Sequence, residues 1–267
     1  MTRVRLGCVE YLNARPLVVG LEHAPEFSLR FDVPARCAEL LHAGDIDLGL
    51  IPSIECLRGP EPYAIVPSVA VSSTGPVASV ALYTRRNPRD IRSVALDTTS
   101  RTSVALTRVI ARKAFGVSPD LVTMAPSLEP MLAEADAALI IGDRALFLDH
   151  VAAGATKIDL GETWTRVTGL PFVYAFWAGR PGAVAPAQVR ALQQARAAGE
   201  ASSAAVARSC FPGDPAAQAV GEQYLRDNIR HSLGAPEIEG LRAFYSYAAE
   251  LGLVDFDGSM RFYAERD

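Results

Sequence analysis

Four short apolar runs in this chain end the same way, in a polar turn that opens into a helix, and this repetition restricts the fold more than any other feature. The run Val4–Val9 leads into Tyr11-Leu12-Asn13, residues 48–51 into Pro52-Ser53-Ile54-Glu55, residues 94–96 into a turn at 97–101, and residues 137–141 into Gly142-Asp143. Runs this short and this apolar suit strands buried on both faces, and the helical segments between them supply the crossovers that parallel strands need. An α/β fold with a parallel sheet covered on both faces follows. Such sheets bind ligands beyond the carboxyl ends of their strands, the edge at which Asn13 and Ser53 fall.

The turn at 97–103, Asp-Thr-Thr-Ser-Arg-Thr-Ser, carries the most chemistry. It precedes an amphipathic helix in which Leu106, Val109, Ile110 and Ala114 share one face. The first amides of a helix lack partners within it, and the helix dipole leaves partial positive charge there. Ser100, Arg101, Thr102 and Ser103 could therefore cradle an anion, with the Arg101 guanidinium giving paired hydrogen bonds to a carboxylate. The alternative is a capped helix with a solvated arginine, because Ser and Thr favour N-cap positions. Asn13 has the same two readings, a helix cap or a side-chain amide facing a cleft. Asp143 reads as a helix cap or a catalytic acid.

Two segments break the simple alternation. Residues 69–83 read as two strand-like runs joined through Gly75-Pro76, a crossover near Ser79, and the long apolar run 168–177 returns near Tyr174. Two crossings make a hinged, two-lobe architecture like that of periplasmic binding proteins. Lobe one would comprise residues 1–80 and 176–267, lobe two residues 81–175, with the ligand clamped between them. Helices at 186–198, 201–209, 216–229 and 236–251 would pack back on lobe one. Trp164, Phe172, Tyr174 and Trp177 could contact a ring, though an aromatic cluster on one strand and its neighbour is more often core.

Composition excludes several classes. With 26 basic and 30 acidic residues, net charge −4, there is no basic stripe for nucleic acid. Cys8, Cys37, Cys56 and Cys210 contain no Cys-x-x-Cys pair, so neither a metal site nor a redox motif is expected. No run reaches the ~18 apolar residues of a membrane span, and the N-terminus lacks a signal-peptide pattern, so a cytoplasmic protein is expected. His23, His42, His150 and His231 lie outside every turn placed at the cleft, leaving Ser/His/Asp catalysis without support.

Several segments in order resemble the menaquinone-biosynthesis family of the futalosine route: Tyr11-Leu12-Asn13 with Arg15-Pro16-Leu17, the stretch 44–49, Gly75-Pro76-Val77 with Ser79, Ser100-Arg101-Thr102-Ser103, Ile141-Gly142-Asp143, and Trp164 with 168–173. The resemblance implies a two-lobe fold of the periplasmic-binding-protein type and a cytoplasmic lyase working without a cofactor. The implied reaction removes water from chorismate to give 3-[(1-carboxyvinyl)oxy]benzoate. A sister activity, dihydroxynaphthoate synthase, uses a His-Glu pair where this chain has Gly142-Asp143. The resemblance further implies Asn13 and Ser79 as groups that orient the departing hydroxyl and the enolpyruvyl group. Ser53, Gly75 and the Ser100–Ser103 turn would hold substrate. The base would be Asp143 or the substrate's own enolpyruvyl carboxylate. A two-lobe carboxylate binder without catalysis would satisfy the same fold constraints. The oligomeric state is left open.

Overall fold

The computed structural model describes residues 3–264. Strands β1 (Val4–Val9), β2 (Phe27–Asp32), β3 (Leu48–Pro52) and β4 (Ala64–Ser73) are followed by β5 (Val80–Thr84), β6 (Ser93–Leu96), β7 (Asp120–Thr123), β8 (Ala137–Ile141) and β9 (Thr156–Asp159). Two more, β10 (Phe172–Gly179) and β11 (Arg261–Phe262), complete the sheets. The order is β11-β4-β10-β3-β1-β2 in the first sheet and β7-β6-β8-β5-β9 in the second.

Both sheets are mixed, where the sequence suggested parallel ones. β1 runs parallel to β2 and β3, and β6 parallel to β7 and β8. β10 is antiparallel to β3 and β4, and β5 is antiparallel to β8 and β9. The reason is connectivity: β5 and β10 are the strands by which the chain changes sheets, and each enters against the direction of its neighbours. β10 belongs to the first sheet from Phe172, which pairs with Ser73. The second passage is therefore residues 160–171, slightly before the Tyr174 position read from sequence. Within β4, Ser68 takes a left-handed φ of 67°.

The helices are α1 (Pro34–Ala43), α2 (Arg101–Ile110), α3 (Leu128–Glu134), α4 (Gly142–Leu146), α5 (Leu160–Thr168), α6 (Pro186–Glu200), α7 (Ser203–Cys210), α8 (Pro215–Asp227) and α9 (Ala235–Glu250). Their ends follow local chemistry. Pro34 opens α1, where its missing N–H costs nothing, and Gly44 at φ 80° closes it by donating to Leu40 and Leu41. Trp164 of α5 packs edge to face on Phe172 of β10 and Phe244 of α9, so three separated segments share one aromatic core. Among the described residues no helix is long and apolar enough to cross a membrane.

The first passage, residues 74–79, is clamped. Ala78 adopts φ 61°, a conformation disfavoured for a residue with a Cβ. The Asp159 carboxylate accepts from the amides of Val77 (3.1 Å) and Ala78 (2.7 Å), and Lys157 Nζ donates to the Ala78 carbonyl at 2.6 Å. Two side chains of β9 thus hold the passage that presents Ser79.

Helix α6 lies against the 3-10 run Leu12–Val18, which carries Asn13. The approach requires Gly199, because a Cβ there would lie 2.0 Å from the Pro16 carbonyl oxygen. Gly→Ala in a helix ordinarily stabilises by ~1 kcal/mol. Here the sign reverses: urea unfolding of Gly199→Ala should show a loss of ~1–3 kcal/mol, the usual cost of overpacking. An unchanged or raised midpoint would contradict the contact.

Candidate functional site

The carboxyl ends of β1, β3, β6 and β8 converge where the two sheets face each other, around a narrow cavity. Val9, Leu50 and Val71 from the first sheet and Val80 and Ile141 from the second give it apolar walls. Tyr11, Asn13, Ser100, Ser103 and Tyr174 bring polar side chains to it. No Asp, Glu, Lys, Arg or His lines it among the described residues.

Each polar group is placed by the local fold. Ser100 is the N-cap of α2, with extended backbone (φ −125°), and its hydroxyl accepts from the Ser103 amide (3.4 Å) and the Ser103 hydroxyl (3.1 Å). The cap reading is therefore correct for Ser100, and the capped end still faces the cavity. Asn13 is no cap: its run starts at Leu12 after an extended Tyr11, and the Tyr11 side chain makes no capping bond. The backbone oxygen of Asn13 instead takes a 2.8 Å hydrogen bond from His231 Nε2. His231 is buried, which pushes its basicity down and keeps the ring neutral.

Contacts between the two halves surround the cavity. The Leu12 amide donates to both Asp143 oxygens (3.1 and 3.3 Å), and the Tyr11 hydroxyl reaches Thr99 Oγ1 at 3.1 Å. Thr99 in turn donates to buried Asp97 at 2.7 Å. Ser53 donates to the Val173 carbonyl (2.9 Å) and lies 3.3 Å from Thr102 Oγ1, which also accepts from the Ile54 amide. Burial raises the Asp143 carboxyl to about 6, against the opposing effect of the Leu12 bond.

Several expected site residues stand elsewhere. Arg101 is not free for a ligand carboxylate: Nη1 is 2.7 Å from Glu55 and Nη2 is 2.9 Å from Glu39. Glu55 is buried, and burying a carboxylate without a cation would be costly, so the guanidinium turns toward it and away from the cavity. Ser53 and Thr102 are spent on each other and on nearby backbone. Gly75 donates to Thr165 Oγ1 at 2.9 Å in the passage, outside the cavity wall. Asp143 sits in the first turn of α4, neither a cap nor a wall residue. Ser79 lies just behind the wall, its Oγ 2.6 Å from the Tyr224 hydroxyl. Of the expected residues, Asn13, Ser100 and Ser103 line the cavity together.

Sequence reading passed over Tyr11 as a lining residue, although an aromatic directly beyond a strand's carboxyl end was a usable signal. It also missed Tyr224 and His231, which carry no such signal within helix-rich sequence. Of the four aromatics weighed as ring contacts, Tyr174 lines the cavity, while Trp164, Phe172 and Trp177 are core.

With this geometry in place, comparison with known proteins narrows the field. The chain is 33% identical to the chorismate dehydratase of Thermus thermophilus over 269 aligned positions, covering 93% of this chain and 95% of that protein. Its fold matches a structure of a protein from Archaeoglobus fulgidus with a TM-score of 0.74 at 14% identity, covering 94% of this chain and 98% of the other. It also matches the periplasmic aliphatic sulphonate binding protein SsuA from Escherichia coli with a TM-score of 0.65 at 18% identity, covering 100% and 94%. The two sheets therefore form the two-lobe fold of periplasmic binding proteins. Residues 4–250 match the family described as menaquinone biosynthesis, and the chain belongs to that family.

Proposed function

We propose that the chain dehydrates chorismate to 3-[(1-carboxyvinyl)oxy]benzoate, an activity of the kind its Thermus thermophilus relative is named for. The observation that carries this reading is a cavity between the lobes whose polar groups are neutral, with Ser100 and Ser103 at the start of α2 and Asn13 reaching it from the other lobe.

The proton to be removed sits on the ring carbon bearing the ether, conjugated through one double bond to the ring carboxylate. Charge released by its loss runs into that carboxylate as a dienolate. The Ser100 hydroxyl, which keeps its own proton while accepting from Ser103, and the amides at the start of α2 that the cap does not use would stabilise it there, donors fixed in advance in a site of low polarity. Asn13 would hold the neighbouring hydroxyl as it leaves, and the ring becomes aromatic.

The base we assign is the substrate's enolpyruvyl carboxylate. A carboxylate taken out of water with no cation beside it becomes more basic, and its nearness to the ring proton substitutes for intrinsic strength. Asp143 is the chain's own nearby carboxyl, but both its oxygens accept from Leu12, so its part is to hold the lobes together. Position 142 also speaks against the sister activity with a histidine base. Gly142 has φ 65°, and a Cβ there would meet the Tyr11 ring at 3.1 Å, so a larger side chain would be strained and would displace Tyr11.

Purified protein incubated with chorismate should consume the diene absorbance and yield the benzoate; binding without turnover would make it a carboxylate binder instead. Asn13→Ala should lower kcat by ~10²–10³ with a smaller change in KM, the loss expected for a transition-state hydrogen bond. Near-wild-type turnover would remove Asn13 from the site.

Asp143 gives a prediction in pH. Its folded value, about 6, is above the ordinary 3.8, so protonation favours the folded chain. That contribution is complete below the ordinary value and is lost as the pH rises through the folded one. Relative to Asp143→Asn, wild-type stability should fall by ~2–3 kcal/mol between about pH 4 and about pH 7, at 1.36 kcal/mol per unit. Urea titrations of both proteins measure it, and a difference that stays flat over this window would contradict the buried clasp.

A further inference from the structure

The 3-10 run Leu12–Val18 contains a proline, and that proline leaves one carbonyl of the run without its local partner. In a 3-10 run the carbonyl of residue i takes the amide of residue i+3. For Asn13 that amide belongs to Pro16, which has no N–H. A half-buried backbone carbonyl left unpaired is costly. His231 fills the gap from a segment 218 residues further along, its Nε2 lying 2.8 Å from the Asn13 carbonyl oxygen. Resting on the dehydratase reading, we infer that His231 is a positioning residue: it supplies the hydrogen bond that Pro16 withholds and so fixes the backbone from which Asn13 reaches the cavity.

The direction of this bond follows from its chemistry. A carbonyl oxygen only accepts, so the imidazole donates, and because burial keeps the ring neutral its single proton stands on Nε2. Nδ1 lies 4.0 Å from Glu200, beyond hydrogen-bond range. The histidine is itself held firmly. It follows an antiparallel bridge in which Arg230 and Ser72 exchange amide hydrogen bonds of 2.8 Å, and its own carbonyl accepts from the Ala70 amide at 3.0 Å. Ala70 and Ser72 belong to β4, whose Val71 lines the cavity. His231 therefore ties Asn13 to a strand that forms part of the cavity wall. On its other side, the Leu12 amide is bound by Asp143 of the second lobe. Asn13 thus stands between two anchors, one in each lobe, and removal of the imidazole donor releases the one that belongs to its own carbonyl.

The test uses His231→Phe, which keeps a ring and removes the donor, and Pro16→Ala, which returns an amide to the place the 3-10 pattern assigns it. Chorismate turnover by His231→Phe should fall about tenfold in kcat with KM held within about twofold. Pro16→Ala should stay within about threefold of wild type, and adding His231→Phe to it should cost no more than about threefold further, because the local amide replaces the imidazole. A ring that serves only packing would give the same loss in both backgrounds, and such additivity overturns the positioning role. A measurement on wild-type protein is independent of how the variants fold: nitrogen NMR of the imidazole should show His231 protonated at Nε2 and bare at Nδ1 at neutral pH, and the opposite tautomer overturns the bond itself. Wild-type protein that shows the Nε2 proton but leaves chorismate unchanged overturns the dehydratase reading and with it the kinetic role. Active wild type with kcat preserved in His231→Phe overturns the positioning role alone.

Discussion

The hydrogen bond from the Leu12 amide to Asp143 joins the carboxyl end of β1 to that of β8, and the rest of the site depends on that join. It brings the Leu12–Val18 run of one lobe against the start of α4 in the other. Tyr11 then reaches Thr99, and Ser53 reaches Thr102, across the same gap. None of these bonds is long-range in physical terms, but each links residues many positions apart in the chain. Together they bring Asn13 and the N-terminus of α2 to a single cavity.

Charge is distributed so that this cavity stays neutral. The arginine that looked best suited to a carboxylate, Arg101, is held by Glu55 and Glu39 at the interface of the lobes. Glu55 also takes Arg58 at 3.0 Å, so the buried carboxylate has two cations and none is left over for a ligand. A substrate carboxylate would meet hydroxyls, amides and a helix dipole instead. These stabilise negative charge that develops during a reaction without neutralising a second carboxylate that must remain basic. A fixed arginine in the cavity would bind a dianion more tightly and weaken its use as a base.

Much of the fold was legible because buried strands and amphipathic helices leave periodic marks. The turns after β1, β3, β6 and β8 fall where the apolar runs said they would, and the Ser100 cap was one of the two readings its sequence allowed. What was hidden is set by pairing between distant segments. Nothing near Arg101 in sequence announces Glu39 or Glu55, and a Ser-Arg-Thr-Ser turn looks the same whether its arginine faces ligand or protein. Tyr224 sits in α8 like any core aromatic, and His231 follows it in a segment with no motif, yet they meet Ser79 and Asn13, which lie 145 and 218 residues earlier. The antiparallel direction of β5 and β10 was likewise invisible, since it follows from which sheet a passage enters.

The central claim is that a substrate carboxylate is held by neutral groups at the start of α2. A crystal structure with 3-[(1-carboxyvinyl)oxy]benzoate bound tests it most directly. The account predicts the ring carboxylate within ~2.7–3.1 Å of the Ser100 hydroxyl and the first-turn amides, with Asn13 on the opposite side and Arg101 still paired to Glu55. A ring carboxylate paired with Arg101, or a product bound outside this cavity, would contradict it.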